Sequence, residues 1–308
     1  MGMFFENYTI GSILAVIAFI AICLVINEAT RRSKVLSILA YCVLPVTLAI
    51  LIFTGVLDAP SSKTWFGWVK VISALLGIYG FMLIRFTKLG ENKFAIIFPL
   101  AILAINISEA VYKEIEVFMQ YKEITVDSAN LVVLGGPWNI MNAIAGILCI
   151  ITLTGFMKIR VSNDKTKDMI WPDMTWMYIM GYTIWNMAYV YNCVSTRAMY
   201  AGVAILLAAL IAEFVFKRGA WLQHRAQILA LYAMFTLSFD FQQNELFQIV
   251  PVFKESMWMG LSIASLIFNI GVFAYMLYTM KKYKKNPLKE EIYTHTSYYK
   301  KTIKDNNL

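Results

Sequence analysis

Two acids and six amides at similar depth, with a few phenols and indoles beside them, stand inside largely apolar stretches, and these are the residues able to do chemistry. The acids are Glu109 and Asp240; the amides are Asn106, Asn139, Asn142, Asn186, Asn192 and Gln243. Their spacing is helical. Asn106, Glu109, Lys113 and Glu116 form one series, Asn139 and Asn142 a second, Tyr182, Asn186, Tyr189 and Cys193 a third, and Thr236, Asp240 and Gln243 a fourth. Steps of three and four residues put each series on a single face of its helix. A charged group at the centre of a membrane helix costs about 2.5 to 3.5 kcal/mol, so such faces are expected to turn toward one another rather than toward lipid. The carboxyls would then be balanced by protonation or by a bound cation. The expected chemistry is binding of a proton, a metal cation or a small cationic or polar solute at Glu109 and Asp240. Asn139, Asn142, Asn186 and Trp185 would orient it, with Tyr182 and Tyr189 beside the indole for stacking and cation–π contact. A hydrogen-bonded network that only joins helices is the alternative.

Other chemistry lacks its residues. There is no HExxH, GxSxG or phosphate-gripping glycine loop, and no CxxC among Cys23, Cys42, Cys149 and Cys193. His224 and His295 are the two histidines, which leaves no bis-histidine haem site. No cofactor is expected. A carboxylate pair of Glu109 with Asp240 is the one candidate for intramembrane acid/base catalysis.

The elements that must position these groups follow from hydropathy. Of 308 residues, 59% are hydrophobic and 15% charged, and the mean hydropathy is +0.63. That is more apolar side chain than one soluble core holds, which excludes a nucleic-acid-binding domain. The excess falls into nine segments, near 8–27, 35–56, 65–85, 94–117, 137–157, 173–194, 199–216, 225–244 and 257–280. Most have the length that crosses about 30 Å of hydrocarbon. The expected fold is an all-α polytopic transmembrane bundle of about nine helices over residues 1–280. At about 1.5 Å per residue, Asn106, Asn142, Asn186 and Asp240 come out roughly 20 to 24 Å above the inner ends of their helices, at one level in the outer half.

Lysine and arginine set the expected orientation. Lys63, Lys70, Lys113, Lys122, Arg197 and Lys254 fall at one end; the remaining 21 of 27 fall at the other. Basic loops stay in the cytoplasm, so the N-terminus is expected outside, the C-terminus inside, and the protein in the cell membrane. Lys70 is expected to snorkel to the outer surface, and Asp173 to cap the sixth helix. Residues 118–136 read as a plain loop into Pro137. The polar, basic tail, residues 281–308, reads as disordered chain lying on anionic lipid.

The runs GPWNIMNAIAGI (136–147) and WPDMTWMYIMGYTIWNMAYVYNC (171–193) resemble those of a family of bacterial multi-pass proteins known only as a domain of unknown function. Trp138, Asn139, Asn142, Trp185, Asn186 and Asn192 are the matching positions. The likeness covers most of the membrane region and not the tail, and it implies a membrane protein with no established activity. Three readings of function stay open: transport by a secondary transporter or channel, a membrane-protein assembly or sensory role, and an intramembrane enzyme.

Overall fold

Backbone groups in hydrocarbon have no water to bond with, so long apolar runs close their own hydrogen bonds as helices. In the computed structural model, which describes residues 4–6, 8–63, 65–127, 131–239 and 244–308, they do so. Among the described residues the nine expected helices are present: α1 Ile10–Arg32, α2 Lys34–Phe53, α3 Trp65–Phe86, α4 Phe98–Gln120, α5 Pro137–Ile151, α6 Trp176–Cys193, α7 Ser195–Phe216, α8 Trp221–Ser238 and α9 Glu255–Tyr283. Six of them, α1, α2, α3, α4, α7 and α9, are long and apolar enough to cross a membrane. α5 is shorter, ending at Ile151 rather than near 157, and α6 and α8 are more polar and largely enclosed by the others.

Local chemistry sets several boundaries. Thr9 and Thr175 accept from backbone N–H groups of the first turns of α1 and α6, and Pro137 opens α5, where its missing N–H costs nothing. Pro45 sits inside α2, and the widened π turn Leu39–Val43 just before it accommodates the lost hydrogen bond. Helix α4 runs on to Gln120, and the described residues after it are a loop into Pro137, tightened by a two-residue pairing of Thr125–Val126 with Val132–Val133.

The helices pack as two groups. α5 lies against α4, α6 and α9, while α3 packs on α8, and α1 on α7 and α8. α6 belongs to the first group and touches α7 of the second.

The basic end is more ordered than a topology signal requires. Arg31 donates to Asp168 at 2.6 Å, and Arg85 reaches the same carboxylate at 3.5 Å. All three are buried, so these arginines serve the interior as well as the charge bias. Burial pushes the Asp168 carboxyl up, but Arg31 and Arg85 outweigh it and hold it below the usual carboxylate range. Asp173 does not cap α6, because Thr175 does. It accepts instead from the Thr154 hydroxyl at 2.7 Å and from the backbone N–H groups of Ile292 and Tyr293 at 3.1 and 2.8 Å. Gly155, at φ 64°, lets the chain press against it.

Those bonds correct the expectation of a disordered tail. Residues 284–308 fold back on the basic end, and Ser297–Asp305 forms helix α10. Arg160 holds Glu291 through both carboxylate oxygens at 2.6 and 2.7 Å, Arg218 pairs with Asp305 at 2.9 Å, and the Tyr298 hydroxyl donates to Glu213. The composition of the tail suggests disorder. Buried acceptors on the bundle and specific ion pairs supply what its own sequence lacks.

Candidate functional site

Helix α4 carries two acidic faces. The buried one runs Leu103, Ile107, Ala110, Glu114 and Val117, an apolar stripe broken by one acid. Glu114 is fully buried. Asn139 donates to its Oε2 at 2.6 Å and Asn142 to its Oε1 at 2.7 Å. Asn192 donates to both oxygens, at 3.1 and 3.4 Å, and the Cys193 thiol to Oε2 at 3.2 Å. The donors are themselves fixed. The Gly136 N–H donates to Asn139 Oδ1 at 2.9 Å, the Ser265 hydroxyl to Asn142 Oδ1 at 2.7 Å, and Asn192 donates to the Ser262 hydroxyl at 3.1 Å. Trp185 Nε1 donates to the Asn142 carbonyl at 3.1 Å. Gly146 makes room for that indole, since a Cβ there would stand 2.7 Å from Nε1. Three amides and a thiol thus saturate one carboxyl among α4, α5, α6 and α9.

Asn106 of the second face, with Ala110 of the first, meets a cavity of about 120 Å³ between the two helix groups. Gly67 and Lys70 of α3, Asn106 and Ala110 of α4, Tyr182, Asn186 and Tyr189 of α6, Arg197 and Ala201 of α7, and Arg225 and Thr236 of α8 form its wall, with Val190, Ile205 and Leu229 as apolar surface. By the allowance of roughly 10 to 15 Å³ for one water, it has room on the order of ten water positions. Arg225 is 5% exposed and donates through Nη2 to Asn186 Oδ1 at 3.2 Å. Its Nε and Nη1 have no partner, nor has the hydroxyl of Tyr189, also 5% exposed.

The expected site is therefore divided. Asn139, Asn142 and Asn192 gather on Glu114, whereas Asn106, Tyr182, Asn186, Tyr189 and Thr236 line the cavity. Trp185 stands behind both, against Tyr182 edge-on at 5.3 Å and stacked on Tyr189 at 6.3 Å. Glu109 does not act as a free acid. Lys70 donates to it at 2.7 Å, where the pair is a quarter exposed, so Lys70 turns inward to a partner rather than snorkelling outward. Lys113, on the same stripe as Glu109, pairs with Glu116 at 2.9 Å. Asp240 and Gln243 lie outside the described residues. Among the described residues the charges that face the cavity are Lys70, Arg197 and Arg225, opposite in sign to the expectation built on Glu109. No group of three or more His, Cys, Asp or Glu is placed to hold a metal among them.

Sequence reasoning missed Glu114, Arg225, Lys70 and Arg197. A signal existed for Glu114, as the acid in the buried stripe of α4. Arg225, beside Lys217 and Arg218, reads as a topology charge, and only the packing reveals that its head runs inward.

A protein-family model described as "Family of unknown function (DUF5692)" matches residues 6–305. The match takes in the tail, which the resemblance in the sequence had left out. Neither a curated protein nor a solved structure matches the chain.

Proposed function

The chain belongs to a family of unknown function, DUF5692, so its role is argued from its own geometry, and we propose that it is a transport protein of the cell membrane, a secondary transporter or channel. The observation that carries this reading is the cavity between the two helix groups, into which α3, α4, α6, α7 and α8 all send polar side chains. Polar groups sunk among apolar helices are costly unless they pair with one another or meet a solute, and here the Tyr189 hydroxyl and two nitrogens of Arg225 do not pair. A cavity lined from two packed groups also suits alternating access, in which one group rocks against the other around the bound solute. In this reading the basic end, with exposed Lys281, Lys282, Lys284 and Lys289 beside it, faces the cytoplasm and anionic lipid headgroups.

The test is solute flux in proteoliposomes holding the purified chain, screened across carboxylates, amines, sugars and inorganic ions. The expected result is saturable flux of at least one solute class above empty liposomes. Permeability equal to that of empty liposomes for every class would remove the transport reading.

A further inference from the structure

We propose that the cavity binds a small organic carboxylate, with the anionic group on Arg225 and the hydroxyl of Tyr189 and the carbon body against Val190 and Leu229; this names the substrate class for the transport site proposed above.

A guanidinium has five N–H donors and no acceptor, and buried ones are normally met by carboxylates or carbonyls. Arg31 and Arg85 show the ordinary solution in this same chain, since both reach Asp168. Arg225 does not. One neutral amide oxygen, that of Asn186, accepts from Nη2; Nε and Nη1 have no acceptor. The Tyr182 hydroxyl stands beside the guanidinium, and no carboxylate of a described residue pairs with it. A charge buried without an opposite charge or a full set of hydrogen bonds is costly, and the cost is removed when an anion enters.

The remainder of the wall agrees in sign and shape. Tyr189 offers a second buried donor without a partner. Arg197 also lines the cavity and adds a second positive charge, while Lys70 brings its own through the pair with Glu109. Lys70 lies in the first turns of α3 and Arg197 at the start of α7, whereas Arg225 lies in the second turn of α8, which begins at the basic end. Positive groups therefore extend from the end away from the tail down to Arg225, an arrangement that concentrates anions. Val190, Leu229 and Ile205 give an apolar wall that an inorganic ion would leave unused, whereas an organic acid would cover it.

The experiment is isothermal titration calorimetry of the full chain in detergent with benzoate as probe. Acetate, phosphate and chloride are the anion controls and benzylamine is the cation of matched shape. Wild type is compared with Arg225→Gln, Arg225→Lys and Tyr189→Phe, each first shown to be folded by thermal unfolding. We expect saturable benzoate binding, acetate weaker, benzylamine absent, at least a tenfold loss in Arg225→Gln, partial rescue in Arg225→Lys and a few-fold loss in Tyr189→Phe. Equal benzoate affinity in wild type and Arg225→Gln would overturn the assignment, as would benzylamine binding as well as benzoate. Binding of phosphate or chloride without benzoate would overturn the organic class. The two readings fail separately. Benzoate binding without flux of any solute removes transport and keeps the carboxylate site, whereas flux of amines or sugars without anion binding keeps transport and removes the carboxylate.

Discussion

Glu114 and Arg225 are both charged side chains sunk among the helices of one bundle, and their surroundings are opposite. The acid is surrounded by four donors, and the three amides among them are held in turn by neighbours. The arginine lines the cavity with one amide acceptor, and its two other donor nitrogens are buried with no hydrogen-bond partner. The difference separates structure from site. A saturated buried group has nothing left to offer a solute and acts as a fastener among α4, α5, α6 and α9. An unsaturated one on a cavity wall is costly to the empty protein and useful once a solute arrives.

The largest effect expected from this contrast is on the fastener. Asn142→Leu removes a donor to Glu114 and leaves the Ser265 hydroxyl and the Trp185 carbonyl without their partners. Leaving buried groups unsatisfied costs about 1 to 3 kcal/mol, and more for a charged one, so a loss of about 3 kcal/mol is expected in denaturant or thermal unfolding. An unchanged Tm would mean that the Glu114 cluster does not hold the helices together.

A smaller and pH-dependent effect is expected at the basic end, where Asp173 anchors the tail. Burial raises its carboxyl from the usual 3.8 to about 6, against the lowering influence of Thr154 and the two backbone N–H groups. The folded form therefore holds this proton over a range where the unfolded form has lost it. Its contribution to stability is full below about pH 4 and fades as pH rises through about 6. The stability of wild type relative to Asp173→Asn should accordingly fall between pH 4 and 7, by about 1 to 3 kcal/mol at most. Parallel curves for the two proteins across that range would contradict the assignment.

How much of this is legible in the sequence depends on what spacing encodes. Helices are, because hydropathy and length carry them, and all nine expected ones are present among the described residues. Faces are legible in part: the Tyr182, Asn186, Tyr189 and Cys193 stripe turns inward, whereas on α4 the buried face is that of Glu114 and not that of Asn106 and Glu109. Partners are not. Lys70 and Glu109 stand on helices 39 positions apart in the chain, and nothing local announces their pairing. Glu114 lies on a stripe that reads as core, because one acid does not break the apolar period of Leu103, Ile107, Ala110 and Val117. Arg225 shows the limit most clearly, since a long side chain near a helix end runs toward water or toward the interior according to packing alone. The tail teaches the same lesson, because composition reports its polarity and not the Asp173 carboxylate waiting on the bundle.

The most direct test of the account is the thermal unfolding of Arg225→Gln in detergent without added solute, run beside Asn142→Leu. If Arg225 serves a solute and not the fold, its removal relieves an unmatched buried charge, and the Tm equals or exceeds that of wild type while Asn142→Leu unfolds well below it. A fall in Arg225→Gln as deep as that of Asn142→Leu would show the arginine to be a second fastener and would contradict the distinction drawn between the two regions.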